Sequence, residues 1–373
     1  MRNKDIDFLR GFAIILVLFR HHDIISFLST AGGAGVDLFF VLSGFLIGGL
    51  LFVEYKNFGN LKIGLFLIRR GFKIYPSYYL TMAVVIGWTV ISCLKNNIPI
   101  PIQSILLNLF FLQNYYTGSP LWIPAWSLAV EEHFYFLLPL CLLWFIGRNK
   151  FNNSKAFPKL FIYAAITCLV LRYITIYTLG MGFRELGTPT HLRIDSLLFG
   201  VLIAYYYHFA PATITKVYFK FRYTLLFFAC AVFIWQGMPD FNLIPFEIKI
   251  MLVPINFSLL YLASGVLIVA TLSDAGATML LKKITTKPVY EFVAFTGFYS
   301  YNIYLWHLWG GILLNAFLYR KFPILVQYPI LPALFYFATA FGLGIGITHL
   351  VEIPFLSLRD RFFPRRSKKA KLI

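Results

Sequence analysis

Charge is what this chain has least of. Only 13% of its 373 residues are Asp, Glu, Lys or Arg, against about 25% in soluble domains, and its mean hydropathy is +0.75. Such a composition excludes a soluble globular fold and points to a polytopic membrane protein. Acids are the rarer sign: 15 Asp and Glu stand against 33 Lys and Arg, a net charge of +18. That excess does not imply nucleic acid. Most of it falls on segments that alternating spans put on one side of a bilayer, the positive-inside pattern. The basic tail RDRFFPRRSKKAKLI reads as a surface held against anionic lipid. Cys93, Cys141, Cys168 and Cys230 stand singly in or beside apolar runs, so neither metal-ligand spacing nor a disulfide framework is present. No small-residue cleavage site follows the first apolar run, and no cleavable leader is expected. Internal repeats are lacking too, and the expected outer loops are short. One membrane domain over 1–355, followed by a basic cytoplasmic tail at 356–373, is the expected organisation.

A bilayer-crossing helix needs about 17–25 mostly apolar residues. Ten segments qualify: about 7–25, 36–54, 74–94, 126–147, 159–180, 192–209, 223–239, 250–272, 295–319 and 330–353. The stretch from Ile98 to Tyr116, IPIPIQSILLNLFFLQNYY, is apolar as well. Counting it as a span would put every later basic loop outside, so it is expected to be re-entrant or interfacial. The fold class is therefore all-α, with about ten transmembrane helices plus that segment. Both termini are expected on the cytoplasmic side, with Arg320 and Lys321 as the exception to the charge rule.

Within these spans the few polar residues carry the argument. The first, DFLRGFAIILVLFRHHD, holds Arg10 and His21 eleven residues apart. Eleven residues are close to three helical turns, so both lie on one face about 16 Å apart. Arg20 can snorkel to the interface. Taken alone, Arg10 also fits charge anchoring and His21 a satisfied interfacial histidine. The second span adds Asp37 and Ser43 in GGAGVDLFFVLSGFLIGGLL; a carboxylate there needs a cationic partner. Arg69, Arg70 and Lys73 in LIRRGFKIYPSYYL lie at the inner mouth, where cations suit a phosphorylated ligand or simply the charge rule. In WSLAVEEHFYFLLP, Ser127 and Glu131 share a helix face, being at i and i+4. His191, Arg193 and Asp195 open the sixth span, where Arg193 and Asp195 also fit as a structural pair, and His307 lies mid-depth in the ninth.

Seven stretches then occur in order: DFLRG with its following His, GVDLFFVLSGFLI, RRGFKIYP, WSLAVEEHFYFLLP, RIDSLLFG, YSYNIYLWH and VEIPFLSL. Together they resemble the acyltransferase-3 family of integral-membrane O-acyltransferases along the whole chain. The family's Arg-x10-His falls on Arg10 and His21. Its Arg-x-x-Arg falls on Arg70 and Lys73, so this chain carries lysine at the second position. The resemblance implies acyl transfer, usually of acetyl from acetyl-CoA, to a sugar hydroxyl of an envelope glycan such as lipopolysaccharide O-antigen, in a bacterial inner membrane. Some relatives carry an extra periplasmic esterase-like domain; here the membrane domain is expected to suffice or to have a partner.

The expected mechanism places acyl-CoA phosphates near Arg69, Arg70 and Lys73, with Arg10 guiding the donor. His21 is the general base, and Glu131 or Asp37 orients its imidazole as a triad acid does. Ser127, Arg193, Asp195 and His307 are expected around the acceptor. A covalent route through Ser127 or Ser43 is the mechanistic alternative. Neither a metal nor a resident cofactor is expected; acetyl-CoA or another acyl-CoA is a co-substrate. The rival function is a proton-coupled transporter, which would bury the same residue types.

Overall fold

The computed structural model describes residues 3–22, 24–116, 118, 121–147, 156–180, 183–238, 245–273, 282–283, 285–313, 321–322 and 330–366. Expectations for Arg148, Lys150, Lys155, Arg320, positions 314–319 and the tail beyond 366 lie outside these residues. No strand occurs among the described residues.

Helix α1, Lys4–Arg20, starts where Asn3 accepts from the Asp5 and Ile6 amides. Asp5 and Asp7 in its first turn complement the helix dipole. A short α2, Ser26–Ala31, leads into α3, Ala34–Phe58, which stops at Gly59 with φ +69°, a left-handed cap that glycine adopts without strain. Helix α4, Ile63–Lys95, is longer than the expected span. Its 33 residues reach about 50 Å at 1.5 Å per residue, well beyond a hydrocarbon core of about 30 Å. The turn bearing Arg69, Arg70 and Lys73 is thus a helical extension rather than a loop. The ambiguous stretch holds only α5, Ile102–Leu109, and a 3-10 turn, Gln113–Tyr115. Eight residues make about 12 Å of helix, too little to cross.

The remaining helices are α6, Ala125–Gly147; α7, Ala156–Leu179; α8, Phe183–Gly187; α9, Ile194–Phe209; α10, Pro211–Gly237; α11, Phe246–Ser273; α12, Lys287–Leu313; and α13, Ile330–Ile347. A π-helical turn, Thr348–Glu352, joins α13 to α14, Ile353–Phe362. Of positions 210–222, expected as a loop, those from Pro211 on are helical: Pro211 starts α10 at its first turn, and only a kink at Phe221 interrupts it. The expected boundary at 355/356 falls inside α14, and residues as far as Arg366 bind back, Arg366 to Glu54 and Asn60.

Seven described helical stretches are long and apolar enough to cross a membrane. Helices α1, α9 and α12 complete ten helices at the ten expected positions, α1 and α9 being shorter and all three largely buried against neighbours. Outward-facing Ile91, Tyr163 and Phe227 are exposed, as lipid-facing side chains are in a multi-pass protein. Two pairings set the architecture: α1 on α12, and α3 on α9. Both depend on glycine. A Cβ at Gly297 would lie 1.8 Å from the Asp7 carbonyl oxygen, and one at Gly11 would lie 1.8 Å from that of Val293. Gly44 and Gly200 likewise face backbone of the opposite helix, at Leu197 and Val41. Small residues let helix backbones approach where apolar burial alone gives no preference in lipid.

Candidate active site

The α1–α12 pairing positions the first site element. The two helices run parallel, with Lys4 bound to Glu291 at 3.1 Å near their starts and Gly11 crossing Gly297. Ten residues further along each helix, about 15 Å of rise, His21 meets His307 with ring centroids 4.9 Å apart. His307 is completely buried. Its Nδ1 lies 2.7 Å from the Tyr304 carbonyl oxygen, an acceptor only, so Nδ1 carries the proton and the neutral ring keeps Nε2 as an acceptor. That Nε2 is buried without a partner among the described residues. His21 itself is exposed, opening on a cavity of about 680 Å³. Asp37, Arg193, Trp126, Tyr304 and His307 also line this cavity.

A second cavity of about 130 Å³ lies around Arg10. Arg70, Lys73, Ser43, Ser127, Glu131 and Tyr135 line it. Glu131 accepts a short hydrogen bond from Tyr135, whose hydroxyl also lies 2.7 Å from Ser43 Oγ. The Arg70 guanidinium sits over the rings of Phe66 and Tyr135. Neither Arg10 nor Arg70 has a carboxylate within ion-pair distance among the described residues. Tyr304 and Val36 line both cavities, and the Tyr304 hydroxyl lies 2.6 Å from Ser127 Oγ. A tyrosine–serine pair therefore stands between the cations and the imidazoles.

Several expected site residues are committed elsewhere. Arg69 binds Asp360 at 2.8 Å and the Phe363 carbonyl, so its guanidinium fastens the end of α14. Lys73 pairs with Glu352 at 2.7 Å, and Asn302 holds the other oxygen of Glu352 at 2.8 Å. Asp37 pairs with Arg193 at 2.7 Å. Asp195 takes a two-pronged bond from Arg172 at 2.6 and 2.8 Å, with both residues fully buried. Thus Arg193 and Asp195 do not pair with each other, and neither Asp37 nor Glu131 contacts His21. A buried carboxylate takes the nearest guanidinium because an unpaired charge there costs several kcal/mol. Ser127 belongs to the Arg10 cavity, and Asp195 lines neither cavity; of the four expected acceptor residues, Arg193 and His307 line the one that holds His21.

Three participants escaped the sequence reading. Arg172 stands alone in the apolar run ITCLVLRYITIY, and an intramembrane arginine was itself a signal. Glu352 lies in VEIPFLSL and Tyr304 in YSYNIYLWH, stretches noticed for their pattern with no role attached. Among the described residues, no group of three or more His, Cys, Asp or Glu could hold a metal ion.

A multi-pass helical bundle with cations and imidazoles in adjoining cavities defines an intramembrane-site protein. The profile of an acyltransferase domain family matches residues 3–349, and the chain belongs to this acyltransferase-3 family. It is similar to the peptidoglycan O-acetyltransferase OatA of Listeria monocytogenes, 30% identical over 321 residues, covering 81% of this chain and 48% of that protein. A Bacillus subtilis protein provisionally named a peptidoglycan O-acetyltransferase is 28% identical over 233 residues, covering 59% of this chain and 36% of its own length. The chain spans about half the length of the first of these curated relatives, and less of the second. No solved structure matches it.

Proposed function

We propose that the protein transfers an acyl group, acetyl from acetyl-CoA in the simplest case, through the membrane to a hydroxyl of a cell-envelope glycan. The observation that carries this reading is the adjacency of the two cavities. Arg10 and Arg70, without a carboxylate partner among the described residues, line one, His21 and His307 line the other, and Tyr304 borders both. The relatives' names favour a peptidoglycan-type acceptor over the lipopolysaccharide expected from the sequence. A bacterial cytoplasmic membrane with both chain ends inside remains the proposed setting, with the Arg10 side facing the cytoplasm.

In this mechanism Arg10 and Arg70 hold the donor's phosphates by charge-assisted hydrogen bonds. Lys73 contributes less, because Glu352 already neutralises it. Arg69 is left out of donor binding by its bonds to Asp360 and Phe363. The thioester end passes Tyr304 and Ser127 toward the imidazoles. His21 removes the proton from the acceptor hydroxyl as that oxygen attacks the acyl carbon. The new C–O bond forms, the C–S bond breaks, and the proton passes from His21 to the departing thiolate. His307 replaces the expected carboxylate as the group that positions His21, since its Nε2 acceptor is next to that ring. Arg193, held by Asp37, lines the same space and is placed to bind acceptor oxygens. Ser127 and Ser43 act through their tyrosine hydrogen bonds, not as nucleophiles. Purified protein with labelled acetyl-CoA and a peptidoglycan glycan fragment tests the reading: wild type yields a labelled ester and His21→Ala does not. Equal yields from both would refute it.

A further inference from the structure

A third cavity, of about 410 Å³, lies beside the one that holds His21, a size usual for small-molecule sites. Ile123 and Trp126 line both, so the two spaces share a wall. Its floor is the 3-10 turn that follows α5, with Gln113, Asn114 and Tyr115. The amide of Asn114 donates both of its hydrogens, to the Trp126 and Thr188 carbonyls, each at 2.8 Å. Gln113 donates to the Ala125 carbonyl at 2.8 Å. These partners accept only, so the nitrogen and oxygen of each amide are assigned without ambiguity. Among the described residues, Gln113 Oε1 and Asn114 Oδ1 are left buried and without partners, each residue being only 9% exposed. A pair of orphaned buried acceptors requires donors from somewhere.

Five aromatic or imidazole side chains, Tyr115, Tyr116, Trp122, Trp126 and His191, share the rest of the wall with small and aliphatic residues and one carboxylate, Glu185. Tyr115 stacks on His191, centroids 5.8 Å apart and planes 17° from parallel, and the tyrosine remains 54% exposed. Trp122 and Trp126 face the same space. Hydroxyl donors around a ring with apolar C–H faces match this combination of flat aromatic surface and hydrogen-bond acceptors. An ionised phosphate or carboxylate does not, because it has no hydrogen to give the two orphaned oxygens and Glu185 in the same wall would repel it.

We propose that this cavity is a second sugar subsite, holding the pyranose next to the one acylated, so that the protein selects an oligosaccharide over a monosaccharide. Its Gln113 and Asn114 oxygens accept sugar hydroxyls, and Tyr115 stacks on the ring. The inference rests on the acyl-transfer reading only for the identity of the acceptor as a glycan.

The test is glycan binding by the full chain in lipid nanodiscs, using a β-1,4-linked N-acetylglucosamine tetramer and the monomer as probes. Wild type should bind the tetramer at least about tenfold more tightly than the monomer. Tyr115→Ala, which removes a half-exposed ring with one 3.4 Å contact to His191, and Gln113→Leu should each erase that preference. Tyr115→Phe should keep it, since the ring face is retained, and Tyr177→Ala, at an outward position on α7 that is 76% exposed, serves as the neutral control. Thermal midpoints near wild type show that Tyr115→Ala remains folded. Equal binding of both probes by wild type, or a preference that survives Tyr115→Ala, overturns the proposal. Acetyl transfer to the tetramer is read separately in the same nanodiscs. Tyr115-dependent binding without transfer supports the subsite and refutes the transfer reading; transfer indifferent to Tyr115 and chain length does the reverse.

Discussion

His21 and His307 face each other at 4.9 Å between ring centroids because two parallel helices cross at Gly11 and Gly297. About three quarters of the chain lies between them in sequence. If His21 moves the proton and His307 holds it in place, removing either ring slows acyl transfer. His21→Ala should lower the rate by about 10²–10⁴, the range for a general base. His307→Ala should lower it less, and the double variant should be no slower than His21→Ala, because coupled residues are not additive. Single-turnover rates with saturating donor and acceptor check this.

The glycine crossing supplies a second expectation. Replacing Gly297 with leucine puts side-chain atoms where the Asp7 carbonyl stands. Overpacking of this kind costs about 1–3 kcal/mol, sometimes more. Gly297→Leu should therefore lower the unfolding midpoint and reduce transfer, while Gly64→Leu, where a Cβ meets nothing within 4 Å, should do neither. Thermal unfolding in detergent and the transfer rate provide both readings.

Donor binding should depend unequally on the four cations. Arg70 has no carboxylate partner among the described residues, whereas Arg69 and Lys73 do. Loss of a hydrogen bond to a charged group is worth about 1.5–3 kcal/mol, or roughly ten- to a hundredfold in affinity. Arg70→Ala should raise the KM for acetyl-CoA by that factor. Arg69→Ala should leave this KM within about threefold and instead loosen the α14 end, measured by hydrogen exchange around Phe363.

The buried ion pairs predict a structural phenotype. Asp195→Asn leaves Arg172 charged at a fully buried position, which costs about 3–5 kcal/mol. Pairing Asp195→Leu with Arg172→Met should recover most of that stability, since the charge and its partner leave together. Unfolding midpoints of these two variants against wild type decide the matter. A stable Asp195→Asn protein that fails only in acceptor binding would instead restore Asp195 to the acceptor site.

How much of this was legible in the sequence varies with the kind of signal. Hydropathy, a local property, located the seven stretches long and apolar enough to cross, and charge placement kept Ile98–Tyr116 from counting as a span, where only a short helix and a turn stand. The eleven-residue spacing separated Arg10 from His21 along one helix, and they do line different cavities. Partner choice was not legible. Asp37 takes Arg193, and Asp195 takes Arg172, because the glycine contacts of α3 with α9 and the position of α7 decide which guanidinium is nearest. Sequence proximity left Arg193 with Asp195 open as a pair, yet each takes a partner from another helix. Tyr304 carried no polar anomaly in an aromatic-rich segment, and its place between the cavities shows only in the fold, where it lines both and meets Ser127.

That position of Tyr304 yields a further prediction. Tyr304→Ala removes the ring that borders both cavities and admits water to the thioester path. Hydrolysis of acetyl-CoA without acceptor should rise, and transfer per thioester consumed should fall. Thiol release and ester formation, measured together, report both quantities.

The central claim is that the acyl group crosses the membrane between the two sides of one helix bundle. Its most direct test uses sealed vesicles containing the protein in one orientation. Labelled acetyl-CoA is supplied on the side of Arg10 and the glycan acceptor is enclosed on the side of His21. Labelled ester should form on the enclosed glycan with wild type and not with His21→Ala. Label appearing only when donor and acceptor share a side would contradict the account.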